Sequence, residues 1–388
     1  MARRVCVVTG SRAEYGLLYW ILRELSAARD VELQLIVTGM HVAPEFGMTV
    51  REIERDGFPI ARRVEMLVAA DSPGGVAKSI ALGVIGMSDA FEQLRPDIVL
   101  VLGDRFEILA VAQTCLIHSI PLAHIAGGDV TEGANDESMR HAITKMAHVH
   151  FVTNEESARR VRQLGENPAR IHVVGSPGLD HLRRTQLLDR VTLEQQLGVQ
   201  LAKRNLLVTF HPVTLDAAGG ASQLQELLAA LDALDRDIGL WFTLPNADAG
   251  GRALAASVSK WAESRRDRAH VYSSLGQVRY LSLMSHANAV VGNSSSGLYE
   301  APSFGIATVD VGDRQGGRLA ASSVIRCAPE RRAIGVAIER ALSMDCTGTV
   351  NPYGDGQASQ RIVEIFRTLP PTSELLRKPF FWAGDARG

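Results

Sequence analysis

The chain of 388 residues has 46% hydrophobic and 22% charged side chains, with 41 Lys and Arg against 43 Asp and Glu. This composition is typical of a folded globular protein, and the length predicts two domains. The balanced charge excludes a strongly basic nucleic-acid-binding protein, and no apolar run reaches the ~18 residues of a membrane-spanning helix. We therefore expect a cytoplasmic protein that binds a small-molecule substrate and neither nucleic acid nor membrane.

The cysteines and glycines argue against a bound cofactor. Cys6, Cys115, Cys327 and Cys346 are scattered along the chain, without the paired spacing of zinc or iron–sulfur sites. The loop after the first apolar run lacks the Gly-x-Gly-x-x-Gly fingerprint of nicotinamide and flavin sites. We expect no metal and no redox cofactor.

Short apolar runs alternate with longer helical patterns along the whole chain. The predicted strands are 5–9, 33–38, 98–102, 121–125, 149–152 and 171–174, and then 206–210, 240–244, 270–272, 289–291 and 307–311. Nearly continuous apolarity indicates strands buried on both faces, as in a parallel sheet covered by helices. The predicted fold class is therefore α/β, with two Rossmann-like doubly wound domains.

A turn-rich segment, 175–178, separates the two series of strands. It predicts an N-terminal domain of residues 1–177 and a C-terminal domain of residues 178–388. As an alternative for the last helix and tail, residues 357–388 could pack back on the N-terminal domain. Because such sheets bind ligands at the carboxyl ends of their strands, we expect a substrate cleft between the two domains.

The first predicted strand ends in Thr9-Gly10-Ser11-Arg12, and a helical pattern follows at once. Free backbone N–H groups at a helix N-terminus bind anions, and the guanidinium of an Arg suits phosphate. Gly10 and Arg12 are therefore candidate substrate contacts. The alternative is a tight strand-to-helix turn without a ligand.

A second loop, residues 292–302, follows another predicted strand and contains Ser294, Ser295, Ser296 and Gly297. Its hydroxyls and backbone amides, at the start of a helix, predict a diphosphate site. Glu300, one turn later, could accept hydrogen bonds from ribose hydroxyls. The alternative is a solvated loop.

Asp104, Asp129 and Asp136 end or follow predicted strands of the first domain. Carboxylates in a closed cleft are candidates for general acid and base catalysis, because desolvation and mutual repulsion move their pKa values toward neutrality. A helix N-cap is the alternative for each of them. His41 and His211 also end strands and are candidates for the same cleft, although lone histidines are often structural.

Together, these segments resemble the UDP-N-acetylglucosamine 2-epimerase family, in particular its hydrolysing branch from bacterial sialic and legionaminic acid synthesis. The matching segments occur in order and nearly from end to end: 9–16, 37–41, 102–107, 124–129, 140–146, 163–166, 210–212, 292–302 and 311–315. The resemblance implies the glycosyltransferase-B architecture, no metal or redox cofactor, and a homodimer or homotetramer.

The resemblance also implies a reaction: elimination of UDP from UDP-N-acetylglucosamine to give a glycal, then hydration to N-acetylmannosamine. Asp104, Asp136 and His211 match catalytic positions of the family, and Glu300 matches a ribose contact. Which carboxylate takes the C2 proton stays open. The expected substrate contacts are Gly10, Arg12, His41, Arg105, Asn246, Ser294, Ser295, Ser296, Gly297, Glu300 and Arg314.

The chain departs from several relatives at Ala126, where they have Glu. Other members of the hydrolysing branch lack this Glu and have an acid three residues later, which is Asp129 here; Glu132 could also serve. The opening Gly10-Ser11-Arg12-Ala13 differs from the Gly-Thr-Arg-Pro-Glu of non-hydrolysing epimerases, and this favours hydrolysis. UDP-N-acetylglucosamine is the preferred substrate and UDP-N,N′-diacetylbacillosamine the alternative.

Two functions of other classes remain. A glycosyltransferase-B transferase would use the same diphosphate loop together with an acceptor, and a non-catalytic UDP-sugar sensor would bind without turnover, in line with Ala126. The titratable groups Asp104, Asp136 and His211 favour the enzyme, because a mere binding site would not require them.

Overall fold

The computed structural model describes residues 2–68, 72–130, 135–212, 220–244 and 251–382. The chain divides into two compact units, Met1–Arg183 with Tyr353–Gly388, and Arg184–Pro352. Each unit contains a parallel sheet with helices. The predicted α/β class with two Rossmann-like domains is confirmed.

The extents of the two units differ from the predicted ones. The first unit continues to Arg183 instead of ending at residue 177, and the chain returns to it at Tyr353. A single C-terminal domain of 178–388 is therefore corrected to Arg184–Pro352. The C-terminal helix and tail belong to the first unit, as in the alternative stated above.

The elements up to the division are β1 (Arg3–Thr9), α1 (Arg12–Ala27), β2 (Val31–Thr38), α2 (Val50–Arg55), β3 (Ile60–Val64), α3 (Pro73–Leu94), β4 (Ile98–Leu102), α4 (Phe106–Ile117), β5 (Leu122–Ile125), α5 (Asn135–Met146), β6 (Val149–Val152), α6 (Glu155–Gln163), β7 (Ile171–Val173) and α7 (Asp180–Arg184). Although α3 spans 22 residues, neither it nor any other helix in the described ranges has the length and hydropathy needed to cross a membrane.

The elements of the second unit are α8 (Arg190–Leu197), β8 (Arg204–Thr209), α9 (Ala221–Asp232), β9 (Ile238–Thr243), α10 (Gly251–Glu263), β10 (Ala269–Tyr272), α11 (Gly276–Ser285), β11 (Ala289–Gly292), α12 (Ser296–Tyr299), β12 (Ala307–Val311), β13 (Val324–Cys327) and α13 (Arg331–Ser343). After the chain returns to the first unit it forms α14 (Ala358–Thr368) and α15 (Thr372–Leu375).

The order of the strands places four loops next to the points where the strand order of each sheet reverses. Over the described residues, the first sheet has the order β3-β2-β1-β4-β5-β6-β7 and the second β10-β9-β8-β11-β12-β13. The strand order reverses between β1 and β4, and again between β8 and β11. Ligands of doubly wound sheets bind beyond the carboxyl ends of the strands at such reversals. The loops that carry Gly10, Asp104, His211 and Ser294 follow these four strands.

The strands form because both of their faces are buried. Val5 and Val7 of β1 contact one apolar cluster, which includes Leu18 of α1, whereas Cys6 and Val8 contact another, which includes Val111 of α4. These six side chains have no exposed surface. Full burial of a Val or Leu side chain stabilises the folded state by roughly 1.5–3 kcal/mol, which favours the buried strand over an exposed loop.

Two edge strands, β3 and β13, were missed in the sequence. Arg62 and Arg63 occupy the middle of β3 and are exposed, and Arg326 is exposed in β13. An edge strand is covered on fewer sides, so its sequence lacks the continuous apolar pattern by which buried strands are predicted.

The C-terminal helix α14 is tied to the first unit at both ends. Asp180 is fully buried and accepts hydrogen bonds from the backbone N–H groups of Ala358 (2.9 Å) and Ser359 (2.8 Å) at the start of α14. At the other end, the Arg3 guanidinium donates to the carbonyl oxygens of Phe366 (2.7 Å) and Leu369 (2.8 Å). A carboxylate at the N-terminus and a cation at the C-terminus both complement the helix dipole.

The tail after α15 is held against the end of α5. Lys378 donates to the carbonyl oxygens of Lys145 and Ala147 and pairs with Glu166 at 2.8 Å. Glu166 also accepts from Lys145 (2.8 Å) and contacts His150 Nε2 (3.0 Å). Burial raises the pKa of Glu166, but these bonds outweigh it and bring the pKa down to about 2. The tail therefore fixes the C-terminal end of α5.

Candidate active site

The loop after β1 forms a capping box in place of an open anion site. Ser11 is the N-cap of α1, and the Glu14 carboxylate accepts from the backbone N–H groups of Gly10 (2.7 Å) and Ser11 (3.1 Å). The Glu14 carboxylate occupies the anion position at the Gly10 amide, and the phosphate contact of Gly10 stays a prediction. Arg12 is exposed and pairs with Glu52 at 3.2 Å.

Glu14 is an unusual capping residue because it is buried. Burial is the largest cause that raises its pKa, to about 7, and the nearby Glu107 raises it further, while the bond from the Gly10 amide opposes the rise. Its other oxygen, Oε1, has no hydrogen-bond partner among the described residues. The Glu14 carboxyl thus holds the loop, and because its pKa is raised, the free energy cost of burying its charged form depends on pH.

His41 is fully buried at the end of β2. Its Nε2 lies 3.1 Å from Thr9 Oγ1 and its Nδ1 lies 2.8 Å from Thr49 Oγ1. Burial lowers the pKa of His41 to about 4, so the ring is neutral at physiological pH. Both ring nitrogens have hydrogen-bond partners within the protein, which favours a structural role, and the substrate contact of His41 stays a prediction.

Asp104 follows β4 in a turn that a buried histidine supports. Gly103 has φ +83°, and its carbonyl oxygen lies 2.7 Å from Nε2 of His124 on β5. Since a carbonyl can only accept, Nε2 carries the proton, and Nδ1 accepts from Thr144 Oγ1 (3.1 Å). Burial lowers the pKa of His124 to about 3. The turn presents Asp104 at the carboxyl edge of the sheet.

Arg140 of α5 connects the carboxylates of this edge. Its guanidinium is 5% exposed and forms an ion pair with Asp104. The same group donates to the carbonyl oxygen of Asp129 (2.7 Å) and to Glu137 Oε2 (3.1 Å). The loop after β4, the loop after β5 and α5 therefore meet at one cation, which was not among the predicted site residues.

Arg105 and Glu107 form the neighbouring wall of the site. Arg105 makes a two-point contact with Glu107, at 2.8 and 3.1 Å, and the Glu107 side chain has no exposed surface. Glu107 lies against two glycines: a Cβ on Gly39 (φ +57°) would come within 3.0 Å of Glu107 Cγ and 2.8 Å of the Gly10 carbonyl oxygen. Arg105 is thus oriented by Glu107. An acid inside the apolar α4 pattern was the available sequence signal.

Asp129 is held at the start of α6. Its Oδ1 accepts from the hydroxyls of Ser157 (2.6 Å) and Thr153 (2.7 Å). Burial raises the pKa of Asp129 above its usual value, although these two bonds oppose the rise. Ala126, in the same loop, has φ +63°. Glu132 lies outside the described residues.

The remaining carboxylates of α5 differ in exposure. Asp136 is exposed in the first turn of the helix. Glu137 is partly buried and lies 3.1 Å from His141 Nε2. The first unit therefore brings Asp104, Asp129, Glu137 and His141 together around Arg140, with Asp136 at the exposed end of the same helix.

In the second unit, Asn293 fixes the backbone of His211. Its side chain accepts from the His211 N–H (2.7 Å) and donates to the His211 carbonyl oxygen (3.0 Å). Its own carbonyl oxygen accepts from Arg314 (3.1 Å) and Gln315 (2.8 Å). Asn293 and Gln315 are fully or almost fully buried and were missed as site residues. Asn246 lies outside the described residues.

The serine loop is compact and partly closed on itself. Ser296 Oγ lies 3.1 Å from Ser294 Oγ and 2.5 Å from the hydroxyl of Tyr280. Gly297 packs so closely on Thr308 that a Cβ would approach it to 2.6 Å. Ser295 precedes α12 and receives the N–H of Tyr299 on its carbonyl oxygen (2.9 Å). Any anion at this loop competes with these hydroxyl bonds.

Glu300 follows α12 and has one carboxylate oxygen, Oε2, that is buried and has no hydrogen-bond partner among the described residues. Burial raises its pKa to about 7. A buried acceptor without a donor is costly and rare in folded proteins. The unpaired Oε2 is therefore suited to accept a hydrogen bond from a hydroxyl of a ligand.

Comparisons with known proteins identify the family. The family model described as UDP-N-acetylglucosamine 2-epimerase matches residues 23–367. The chain belongs to this family. A GDP/UDP-N,N′-diacetylbacillosamine 2-epimerase (hydrolyzing) from Campylobacter jejuni is 41% identical over 83% of this chain and 84% of the relative. A UDP-N,N′-diacetylbacillosamine 2-epimerase (hydrolyzing) from Legionella pneumophila is 34% identical over 97% and 99%.

Solved structures of the epimerase family agree in fold. The UDP-GlcNAc 2-epimerase from Neisseria meningitidis, bound to UDP-GlcNAc, superposes with a TM-score of 0.76 at 19% identity, covering 94% of this chain and 100% of that chain. The family and the hydrolysing branch named from the motifs are thereby confirmed. The roles of the individual residues remain predictions.

The buried Glu14 should make stability depend on pH. Its folded pKa of about 7 lies above the ordinary value of 4.5, so the folded protein binds more protons than the unfolded chain between these values. The contribution of Glu14 is present below pH 4.5 and is lost as the pH rises through about 7. Glu14→Gln should therefore flatten the fall in the urea midpoint between pH 5 and pH 8.

The control for this measurement is Glu263→Gln, which alters an exposed carboxylate of α10. It should leave the pH profile of the urea midpoint as it is in the unmodified protein. Parallel profiles for Glu14→Gln and the unmodified protein would show that Glu14 is not the titrating group.

Proposed function

We propose that this enzyme is a hydrolysing UDP-sugar 2-epimerase and that its substrate is UDP-N,N′-diacetylbacillosamine. The observation that carries the proposal is the group of carboxylates around Arg140 at the carboxyl edge of the first sheet. Two relatives are matched by this chain over 84% and 99% of their length. Both are named as hydrolyzing 2-epimerases of N,N′-diacetylbacillosamine. Membership of the epimerase family makes a transferase or a sensor a poorer account of these residues.

The reaction needs a protein base and a protein acid that exchange protons with the sugar, and it needs groups that stabilise the departing diphosphate. A base removes the C2 proton, the bond between C1 and the diphosphate oxygen breaks, and UDP leaves with both electrons. Water then adds at C1 and a proton returns to C2 on the opposite face. The sum is UDP-sugar and water to free 2-epimeric sugar and UDP, which requires no metal or redox step.

Asp104 is the best-oriented candidate for this proton chemistry. The ion pair with the nearly buried Arg140 fixes its direction, and the Gly103 turn is held by His124. Asp136 and His211 remain proposed catalytic groups by their match to the family. Asp129 has a raised pKa, which suits a proton donor better than a permanent base. The assignment of the C2 base stays open between Asp104 and Asp136.

The nucleotide is assigned to residues of the second unit. Ser294, Ser295, Ser296 and Gly297 would meet the diphosphate, and the unpaired Oε2 of Glu300 would accept from a ribose hydroxyl. Arg314, which already contacts the Asn293 carbonyl, would stabilise the charge of departing UDP. These contacts favour the transition state if they strengthen as the diphosphate leaves.

The proposed substrate, UDP-N,N′-diacetylbacillosamine, differs from UDP-N-acetylglucosamine, which was preferred from the sequence alone. UDP-N-acetylglucosamine has hydroxyls at C4 and C6, whereas diacetylbacillosamine has an acetamido group at C4 and a methyl group at C6. The motifs do not separate the two substrates. The two hydrolysing relatives at 41% and 34% identity move the preference to the second substrate.

Proton NMR of the purified protein in D2O tests the reaction. With UDP-N,N′-diacetylbacillosamine and no acceptor, we expect free 2-epimeric sugar that carries deuterium at C2, together with UDP. Asp104→Asn should lower turnover by about 100-fold or more, because it removes an acid–base group. Its ability to bind UDP should remain.

The control for Asp104→Asn is Asp89→Asn, an exposed carboxylate on α3. It should turn over at the unmodified rate. If neither this substrate nor UDP-N-acetylglucosamine is consumed, the epimerase proposal fails; full activity of Asp104→Asn would remove that residue from the mechanism.

Calorimetry with UDP tests the nucleotide contacts. Glu300→Ala should weaken UDP binding by about tenfold, because a hydrogen bond from ribose to a buried carboxylate is worth ~1–2 kcal/mol. Glu330→Ala, which removes an exposed carboxylate before α13, should bind UDP as the unmodified protein does. Equal affinities for both variants would exclude Glu300 from the site.

We also propose a cytoplasmic homo-oligomer, a dimer or tetramer. Adjacent helices α3 and α4 expose apolar side chains in the first unit: Leu82 is 45% exposed, Ile85 61%, Leu116 53% and Ile117 79%. Grouped exposed apolar residues indicate an interaction surface, and a two-fold axis would bring the same surface of two copies together.

Light scattering measures the oligomeric mass. Ile85→Glu combined with Ile117→Glu should reduce it, because buried carboxylates would oppose association. Val350→Glu, at an 80% exposed site of the second unit, should not change it. A monomeric mass for the unmodified protein would refute the oligomer.

A further inference from the structure

The first unit contains a cavity of about 730 Å³ at the carboxyl edge of its sheet. It lies among the turns after β2, the segment after β3, the first turns of α3 and the start of α4. Its volume lies within the range of small-ligand sites, which is roughly 300–1,000 Å³. None of the predicted site residues except Arg105 lines it.

The wall of this cavity is largely apolar. Met40, Val42, Met66, Val68 and Val76 contribute to it. Met66 is 2% exposed and its terminal methyl packs at the place where a Cβ on Gly83 would come within 2.7 Å. Met66 is therefore tightly packed and has little freedom to rearrange, whereas Val76 is 36% exposed.

One polar group of this wall, the Ser79 hydroxyl, already has its hydrogen-bond partners, whereas Glu45 and Glu65 also line the cavity and are exposed. Ser79 Oγ donates to the carbonyl oxygen of Gly75 (2.9 Å) and accepts from the N–H of Val68 (2.9 Å). These two bonds join the segment after β3 to α3. The hydroxyl shapes the cavity and has fewer lone pairs left for a ligand hydroxyl.

The opposite wall is shared with the catalytic group. Arg105 and Glu107 line the cavity and hold each other in the two-point contact described above. Arg105 directly follows Asp104, and consecutive Cα atoms are only ~3.8 Å apart. A sugar at Asp104 would reach the cavity past Arg105, because Asp104 itself does not line it.

We propose that this cavity receives the 4-acetamido and 6-methyl groups of the sugar and selects N-acetylated 6-deoxysugars over N-acetylglucosamine. This inference rests on the proposed function, since it places the substrate of the same reaction. The apolar wall gains free energy from methyl groups. A hydroxyl at C6 that faced the Val and Met side chains of this wall would lose its water there without a replacement partner, and such loss is unfavourable.

The wall can be changed by one hydroxyl at a time. Val42→Thr and Val68→Thr keep the shape of the side chain and add a polar group at half-buried positions. The measurement is the ratio of kcat/KM for UDP-N,N′-diacetylbacillosamine to that for UDP-N-acetylglucosamine. We expect the ratio to fall by about tenfold in the double variant, within the range that one group in an apolar pocket controls.

The ratio is measured with both substrates on one preparation, so a partly unfolded variant does not disturb it. Val191→Thr, at a 62% exposed site of α8 in the second unit, is the matched control and should keep the unmodified ratio. An unchanged ratio in active Val42→Thr and Val68→Thr, or a wild-type preference for UDP-N-acetylglucosamine, would overturn the inference while leaving the epimerase function intact. Wild-type protein that consumes neither substrate would instead overturn the proposed function.

Discussion

The buried guanidinium of Arg140 is the constraint on which the arrangement of the first unit depends. Its side chain is only 5% exposed, and a guanidinium that is shielded from water must be surrounded by acceptors. The acceptors come from Asp104 after β4, the Asp129 carbonyl after β5 and Glu137 of its own helix. If one acceptor were removed, the remaining charge would be uncompensated, which is the costly case for buried ions. The positions of the Asp104 and Glu137 carboxylates and of the Asp129 carbonyl thus follow from one requirement.

The doubly wound sheets explain why four separate loops can serve chemistry. Parallel strands end at the same edge, and the reversal of strand order beside β1 and β8 leaves room between adjacent loops. The turns then need special backbone conformations: Gly103 has φ +83° and Gly292 has φ +134°, and a Cβ on Gly292 would come within 2.0 Å of the Thr209 carbonyl oxygen. The fold supplies the edge, and glycine lets the chain turn sharply there.

The fold was predictable to the extent that its strands are buried on both faces. The central strands follow from apolar runs alone, whereas the edge strand β3 contains Arg62 and Arg63 and was missed. The return of the chain at Tyr353 depends on Asp180 and Arg3, which are far from α14 in the sequence. Polar pairs of this kind have no local pattern, because the partners meet only after both segments have folded.

In the candidate site, too, the sequence indicates the type of residue that could act but not the partner that orients it. Asp104 and Glu300 were identified from strand-to-helix loops, but Arg140, Glu107 and Asn293 were not, because each acts by orienting another group. The first loop leaves its ligand open for a physical reason: a helix N-terminus attracts an anion, and the sequence does not say whether the anion is a ligand or a side chain. Here the Glu14 carboxylate takes that position.

Glu14 and Glu300 illustrate how burial alone does not define a role. Both carboxyls have a pKa raised to about 7 by burial. Glu14 Oε2 accepts two backbone N–H bonds that hold the loop after β1, so the burial of this oxygen is compensated within the protein, although Oε1 has no partner among the described residues. Glu300 Oε2 has no such partner among the described residues, and a ligand hydroxyl would remove the cost of its desolvation. The two environments separate a carboxyl that stabilises the fold from one whose energy is available for binding.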